Sequence, residues 1–138
     1  GERIDADGEV LRDLDQDELD AVVDLLVADG VVAIAVAFVN AYANPDHERR
    51  AAQRIRARYP ELSVVASHEL SREWREFERT STAVANAFIQ PGFGAYVRDF
   101  TTSVADRGHP HAVAFMTSSG SVLPANRVAE HPVHTLMS

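Results

Sequence analysis

The chain has 138 residues, 46% hydrophobic and 25% charged, with a formal net charge of −8. Those numbers describe one globular domain with a core of its own, and the acidic excess argues against nucleic acid or an anionic membrane as a partner. Cysteine is absent and all 13 basic residues are arginine, which excludes a disulfide, a thiolate nucleophile, a Walker-type phosphate lysine and a Schiff base.

No positively charged leader precedes an apolar segment, and the longest apolar run, Val31 to Val39, is too short to span a bilayer. A cytoplasmic protein is expected, and the wealth of Ala, Val, Asp and Arg fits the codon bias of a GC-rich bacterium.

Asp7-Gly8, set between Ile4 and Val10-Leu11, predicts a short hairpin. Asp15 and Glu18 form a capping box ahead of Leu19, Val22, Val23 and Leu26, and Gly30 supplies the stop, so a helix is expected between them. The run VVAIAVAFV that follows has the pattern of a strand buried on both faces. Asn44-Pro45 reads as the N-cap and first position of a second helix, which carries Ala51, Ala52, Ile55 and Tyr59 on one face and ends at Pro60. LSVVAS, residues 62–67, is a second strand.

A long helical region is predicted from Ser71, kinked or interrupted at Pro91-Gly92 and resuming through Tyr96, Val97, Phe100 and Val104 to Gly108. HAVAFMTS predicts a third strand, PANRVAEH a short helix and VHTLMS the start of a fourth strand. The order implies an α/β fold with a mostly parallel sheet of about four strands and helical crossovers.

On a helical wheel Trp74, Phe77, Ser81, Val84, Ala85 and Phe88 share one face, the expected core, so that Phe77→Ala would cost about 3–5 kcal/mol if Phe77 is fully buried. Arg75, Arg79, Thr82 and Asn86 form a second stripe that suits a structural network with another domain or contact with a ligand. Glu78 lies between the stripes, within reach of Arg75 or Arg79. Of the six histidines, His109, His111, His131 and His134 lie near prolines without a carboxylate at ligand spacing, so they read as solvated loop residues and no metal site is expected. His47 reads as a capping or packing residue. Arg49, Arg50, Arg54, Arg56 and Arg58 read as a solvated or acid-pairing helix face. SSGS before a helix offers N–H groups to an anion, although a tight turn needs the same residues. No Ser-His-Asp triad, carboxylate dyad or dinucleotide fingerprint is present.

The segments GEVLRDLD, AIAVAFVNAYANPDHERRAAQRI, SHELSREWREFERTSTAVANAFIQP, FMTSSGSVL and HPVHTLMS occur in an order that resembles the hydantoinase/oxoprolinase family, over nearly the whole chain. That family includes the A-type chain of N-methylhydantoinase, 5-oxoprolinase and chains of acetone and acetophenone carboxylases. The resemblance implies an actin-like (ribonuclease H-like) ATPase architecture in which ATP, with Mg²⁺, activates a cyclic amide for ring opening or, in the carboxylase branch, a ketone for carboxylation. It also implies a second, B-type chain or fused domain as partner.

Because the family's glycine-rich phosphate loops have no counterpart here, the chain is expected to be an internal piece of a longer parent, inactive alone and without bound cofactor. Residues 1–90 would be the later part of the family's N-terminal region and 91–138 the start of its main domain, or the two would form one compact unit. The resemblance makes Glu78, Arg79, Thr80, Ser81, Thr82, Asn86, Ser118, Ser119 and Gly120 the residues expected to border the site, with no catalytic residue assigned. SSGS stands where the family more often carries Asn/Asp-Gly-Gly, and Asn40 where histidine is common. A non-catalytic α/β interaction domain is the third reading.

Overall fold

Two short β-rich runs separated by a helical crossover give the molecule its organising feature, a parallel strand pair. The computed structural model describes residues 1–109 and 111–136, which divide into two compact units, Gly1–Ala87 and Phe88–Ser138.

The first unit opens with the expected hairpin, β1 (Arg3–Ile4) antiparallel to β2 (Val10–Arg12), turning at Gly8 with φ 89°. Helix α1 (Gln16–Ala28) is capped by the Asp15 carboxylate, which accepts from the N–H groups of Asp17 and Glu18, and it ends at Gly30, φ 81°. β3 (Ala33–Val36) then leads through α2 (Asp46–Arg58) to β4 (Ser63–Ala66), and the strands pair in parallel with Ile34 opposite Val64 and Val36 opposite Ala66. Asn44 caps α2 from two residues before its start, its Oδ1 accepting from Asp46 N–H at 3.1 Å.

Alternation along the strands sends each set of side chains to a different layer. Ile34, Val36, Val64 and Ala66 pack with Val23 of α1 and Ala51, Ala52 and Ile55 of α2. On the other face Ala33, Ala35 and Val65 meet Ala83 and Ala87 of α4 (Glu76–Asp106). The apolar run is thus covered on both sides, as expected, although only its middle forms a strand and Val32 and Val39 are exposed.

Three expectations about the long helix need correction. A short helix, α3 (Ser67–Leu70), follows β4 directly, and the long helix starts at Glu76 rather than Ser71. It continues through Pro91, so the interruption expected there is not found, although the proline removes one N–H donor from the helix. The expected core face of this helix is also inverted: Trp74, Phe77, Val84 and Phe88 are exposed, Phe77 by 80%, whereas Arg79, Ala83, Asn86 and Ala87 are buried. The strand surface beneath is paved with Ala33 and Ala35, and it takes alanines at close range where a phenylalanine would not fit.

In the second unit, β5 (Ala114–Met116) and β6 (Val122–Pro124) form an antiparallel hairpin, followed by α5 (Ala125–Glu130) and a 3₁₀ turn over Pro132–Thr135. Phe93, Tyr96, Phe100 and Phe115 make a run of ring contacts 5.8–6.1 Å apart that ties the hairpin to the end of α4. The four-stranded, mostly parallel sheet is not found among the described residues: there are three two-stranded sheets, of which only β3–β4 is parallel. β6 was hidden in the apolar stub after SSGS, whose tight turn forces antiparallel pairing. The strand expected in VHTLMS is a 3₁₀ turn up to Thr135, and its last two residues lie outside the described ones.

Candidate functional site

The carboxyl ends of β3 and β4 converge on a buried polar cluster, in the position where open α/β sheets hold their ligands. α2 contributes Glu48, which shares the core stripe of Ala51, Ala52 and Ile55 and is fully buried. Its Oε1 accepts from the Phe38 N–H at 2.8 Å and the Ser67 hydroxyl at 2.7 Å. Its Oε2 accepts from the His68 N–H at 3.0 Å and meets His68 Nδ1 at 2.9 Å. Burial pushes the Glu48 carboxyl up, but the hydrogen bonds from His68, Ser67 and Phe38 outweigh it and hold the group below the usual range.

α4 contributes Arg79, 1% exposed. Its Nε donates to Ser67 Oγ at 2.9 Å, and its two terminal nitrogens donate to the carbonyls of Glu73, at 3.1 Å, and Phe38, at 2.6 Å. The planar five-donor guanidinium suits this task, because it satisfies a hydroxyl and two carbonyls from one fixed fork. Residues following both strands are thereby pinned: Phe38 by Glu48 through its N–H and by Arg79 through its carbonyl, and Ser67 by both.

The expected site residues separate into distinct settings. Arg79 belongs to the cluster, and Asn86 is buried farther along the same helix. Glu78 is exposed and pairs with Arg75 at 3.3 Å, as its position between the stripes suggested. Thr80 is half-buried and Ser81 exposed. Thr82 bonds back to the Glu78 carbonyl at 2.8 Å. Ser118, Ser119 and Gly120 form the exposed β5–β6 turn. That turn precedes a strand, not a helix. Its N–H groups at Ser118, Gly120 and Ser121 are taken by the His134 carbonyl, the Thr117 carbonyl and the Thr117 hydroxyl, as a tight turn requires.

Glu48, Ser67 and His68 escaped assignment from sequence. One signal existed: Glu48 falls at helical spacing with Ala51, Ala52 and Ile55, an acid on an apolar stripe in a helix otherwise rich in arginine. Those arginines pair with acids as expected, Arg50 with Asp13, Arg54 with Asp20, Arg56 with Glu69 and Arg58 with Asp20 and Asp24. His47 is a packing residue, buried with Nδ1 2.6 Å from Glu2 and Nε2 3.1 Å from Asp13. Asn40, at φ 59°, and Asn44 donate to the carbonyls of Ile4 and Gly8, so all three residues fasten the N-terminal hairpin. Among the described residues no group of three or more His, Asp or Glu is arranged to hold a metal, and no helix is long and apolar enough to cross a membrane.

Comparison with known proteins gives this arrangement a context. The chain is 33% identical, over its whole length, to the alpha subunit of the caprolactamase of Pseudomonas jessenii and 32% identical, over 86% of its length, to the acetophenone carboxylase gamma subunit of Aromatoleum aromaticum. The crystal structure of the ATP-dependent caprolactamase from Pseudomonas jessenii superposes on 96% of the chain with a TM-score of 0.86 at 31% identity. The chain spans only about a fifth of these relatives, 20% of the caprolactamase chain and 17% of the carboxylase chain. Two family models match in succession, the hydantoinase/oxoprolinase N-terminal region over residues 1–59 and hydantoinase/oxoprolinase over residues 79–138. With both halves of the chain and its fold agreeing, the chain belongs to the hydantoinase/oxoprolinase family.

Proposed function

We propose that the chain is part of a longer enzyme that uses ATP to activate a cyclic amide for ring opening. The observation that carries this reading is the likeness to the ATP-dependent caprolactamase, in sequence over the full chain and in fold at a TM-score of 0.86. The chemistry calls for ATP because an unstrained ring amide has no good leaving group until its oxygen is phosphorylated. Mg²⁺ enters with the nucleotide as counter-ion to its phosphates. The architecture proposed for the whole enzyme is the actin-like one, in the cytoplasm, with a second, B-type chain or fused domain as partner. Residues 1–90 would close its N-terminal region and 91–138 open its main domain, and the piece alone would be inactive and hold no nucleotide.

Within that reading Glu78, Arg79, Thr80, Ser81, Thr82, Asn86, Ser118, Ser119 and Gly120 border the site, Arg79 through its bonds to Ser67 and Phe38 at the strand ends. The similarity to the acetophenone carboxylase gamma subunit, at 32% identity, favours a second reading, a chain that activates a ketone for carboxylation. The test is an ATP-turnover assay of the full-length protein, with its partner chain, against a panel of lactams, hydantoins and 5-oxoproline and, separately, ketones with bicarbonate. Ring-dependent ATP hydrolysis is expected. Turnover only with ketone and bicarbonate would establish the second reading, and turnover with neither would leave an interaction domain.

A further inference from the structure

His68 sits immediately after β4, at the carboxyl edge of the parallel pair, and its ring is held at one nitrogen only. Nδ1 lies 2.9 Å from Glu48 Oε2, and the same oxygen accepts the His68 backbone N–H at 3.0 Å. The carboxylate is itself immobilised, because its other oxygen carries the Phe38 N–H and the Ser67 hydroxyl. An ionised carboxylate accepts only, so the proton of the neutral imidazole must stand on Nδ1 and the lone pair on Nε2. Nε2 has no hydrogen-bond partner among the described residues, and the His68 side chain is 8% exposed. The result is a packed imidazole with one nitrogen oriented by a buried acid and the other left to accept, the arrangement by which a third group orients a general base.

We propose that His68 is a proton acceptor in the ring-opening reaction, with Glu48 as its positioning residue; the proposal rests on the ring-opening reading above and gives it a base. As the ring-amide oxygen bonds to the γ-phosphorus of ATP, the γ-phosphorus–oxygen bond to ADP breaks. The amide N–H proton passes to His68 Nε2, and the nitrogen's electron pair closes the C=N bond of an O-phosphorylated imidate. Nothing is oxidised or reduced. Without that proton transfer the phosphorylated ring would be left as an iminium cation. The imidazolium that forms is matched by the Glu48 carboxylate, and Arg79, acting through Ser67, compensates that carboxylate before the proton arrives.

The alternative is that His68 serves only to satisfy Glu48. His68→Asn separates the two, because the Asn amide keeps a donor near the Nδ1 position but has no basic nitrogen. In the full-length enzyme with a lactam that carries N–H, kcat is expected to fall about 10²–10⁴-fold while KM for ATP and the thermal midpoint stay near those of the unaltered enzyme. Long-range ¹H–¹⁵N spectra of the unaltered chain should place the His68 proton on Nδ1. Ring opening within threefold of the unaltered enzyme after His68→Asn would overturn the proton transfer alone. If the variant fails to fold, the spectrum of the unaltered chain still tests the premise: a proton on Nε2 overturns the proposal, and one on Nδ1 leaves the Nε2 lone pair that it requires. An unaltered enzyme with no ring-dependent ATP turnover would overturn the ring-opening reading, and the proton transfer with it.

Discussion

Arg79 and Glu48, both buried, are joined not by an ion pair but by a single hydroxyl: Ser67 Oγ accepts from Arg79 Nε at 2.9 Å and donates to Glu48 Oε1 at 2.7 Å. Two charges taken out of water cost several kcal/mol each unless hydrogen bonds replace the solvent, and here backbone groups do much of that replacement. The link joins α2 to α4 across the end of the strand pair, so local residue choices on three elements become one constraint on the site.

Ser67→Ala removes the shared hydroxyl and leaves Arg79 Nε and one Glu48 lone pair without a partner in the interior. The expected loss is about 1–3 kcal/mol, the cost of an unsatisfied buried polar group. Urea unfolding at neutral pH measures it, and an unchanged midpoint would mean that the surrounding carbonyls and N–H groups suffice alone.

The low-lying Glu48 carboxyl makes stability depend on pH with a definite sign. Its folded pKa is depressed by hydrogen bonds that overcome burial, so its contribution is fully present above the ordinary carboxylate range and is lost as pH falls through the folded value. Unfolding followed against pH for the unaltered chain and for Glu48→Gln should give curves farthest apart near neutrality and converging in acid. Parallel curves would remove Glu48 from the pH response.

Exposure sets the ranking of two substitutions on α4. Phe77 is 80% exposed and Asn86 fully buried. Phe77→Ala should therefore change the stability of this chain by no more than about 0.5 kcal/mol, and Asn86→Ala should cost about 1–3 kcal/mol. Thermal unfolding of the two variants side by side checks the order; a larger loss at Phe77 would restore the face that periodicity favoured.

That inversion shows where the sequence could be read and where it could not. Hairpin, first two helices and parallel pair were legible because each carried local chemistry: Asp7-Gly8, the Asp15 cap, the Asn44 cap and short β-branched runs bounded by helices. Helix α4 carried two stripes of equal periodicity, and a wheel ranks them by hydrophobicity alone. What decided between them was the partner surface, Ala33 and Ala35 on β3, together with unfilled carbonyls at Phe38 and Glu73 that an arginine could reach. Both are properties of distant residues, which no window on the helix contains. The site was half legible for the same reason. Arg79 and Asn86 stood out as polar residues on a helix, whereas Glu48 and His68 acquire meaning only once α2 is packed against β4.

His47 offers the last test, on how the hairpin is held. Its ring bridges Glu2 and Asp13, residues on either side of β1 and β2, from within α2. Asp13 retains Arg50 when the ring is lost, whereas the Glu2 side chain, 9% exposed, loses the short contact that holds it. His47→Leu keeps the volume and removes both hydrogen bonds, so the hairpin should open more often while the β3–β4 core stays closed. Amide hydrogen exchange reads the two regions separately. Faster exchange at Ile4 and Val10, with Val64 and Val65 unchanged, is the expected outcome. Equal acceleration in both regions would mean that the hairpin and the parallel pair open as one unit, and that His47 supports the whole of it.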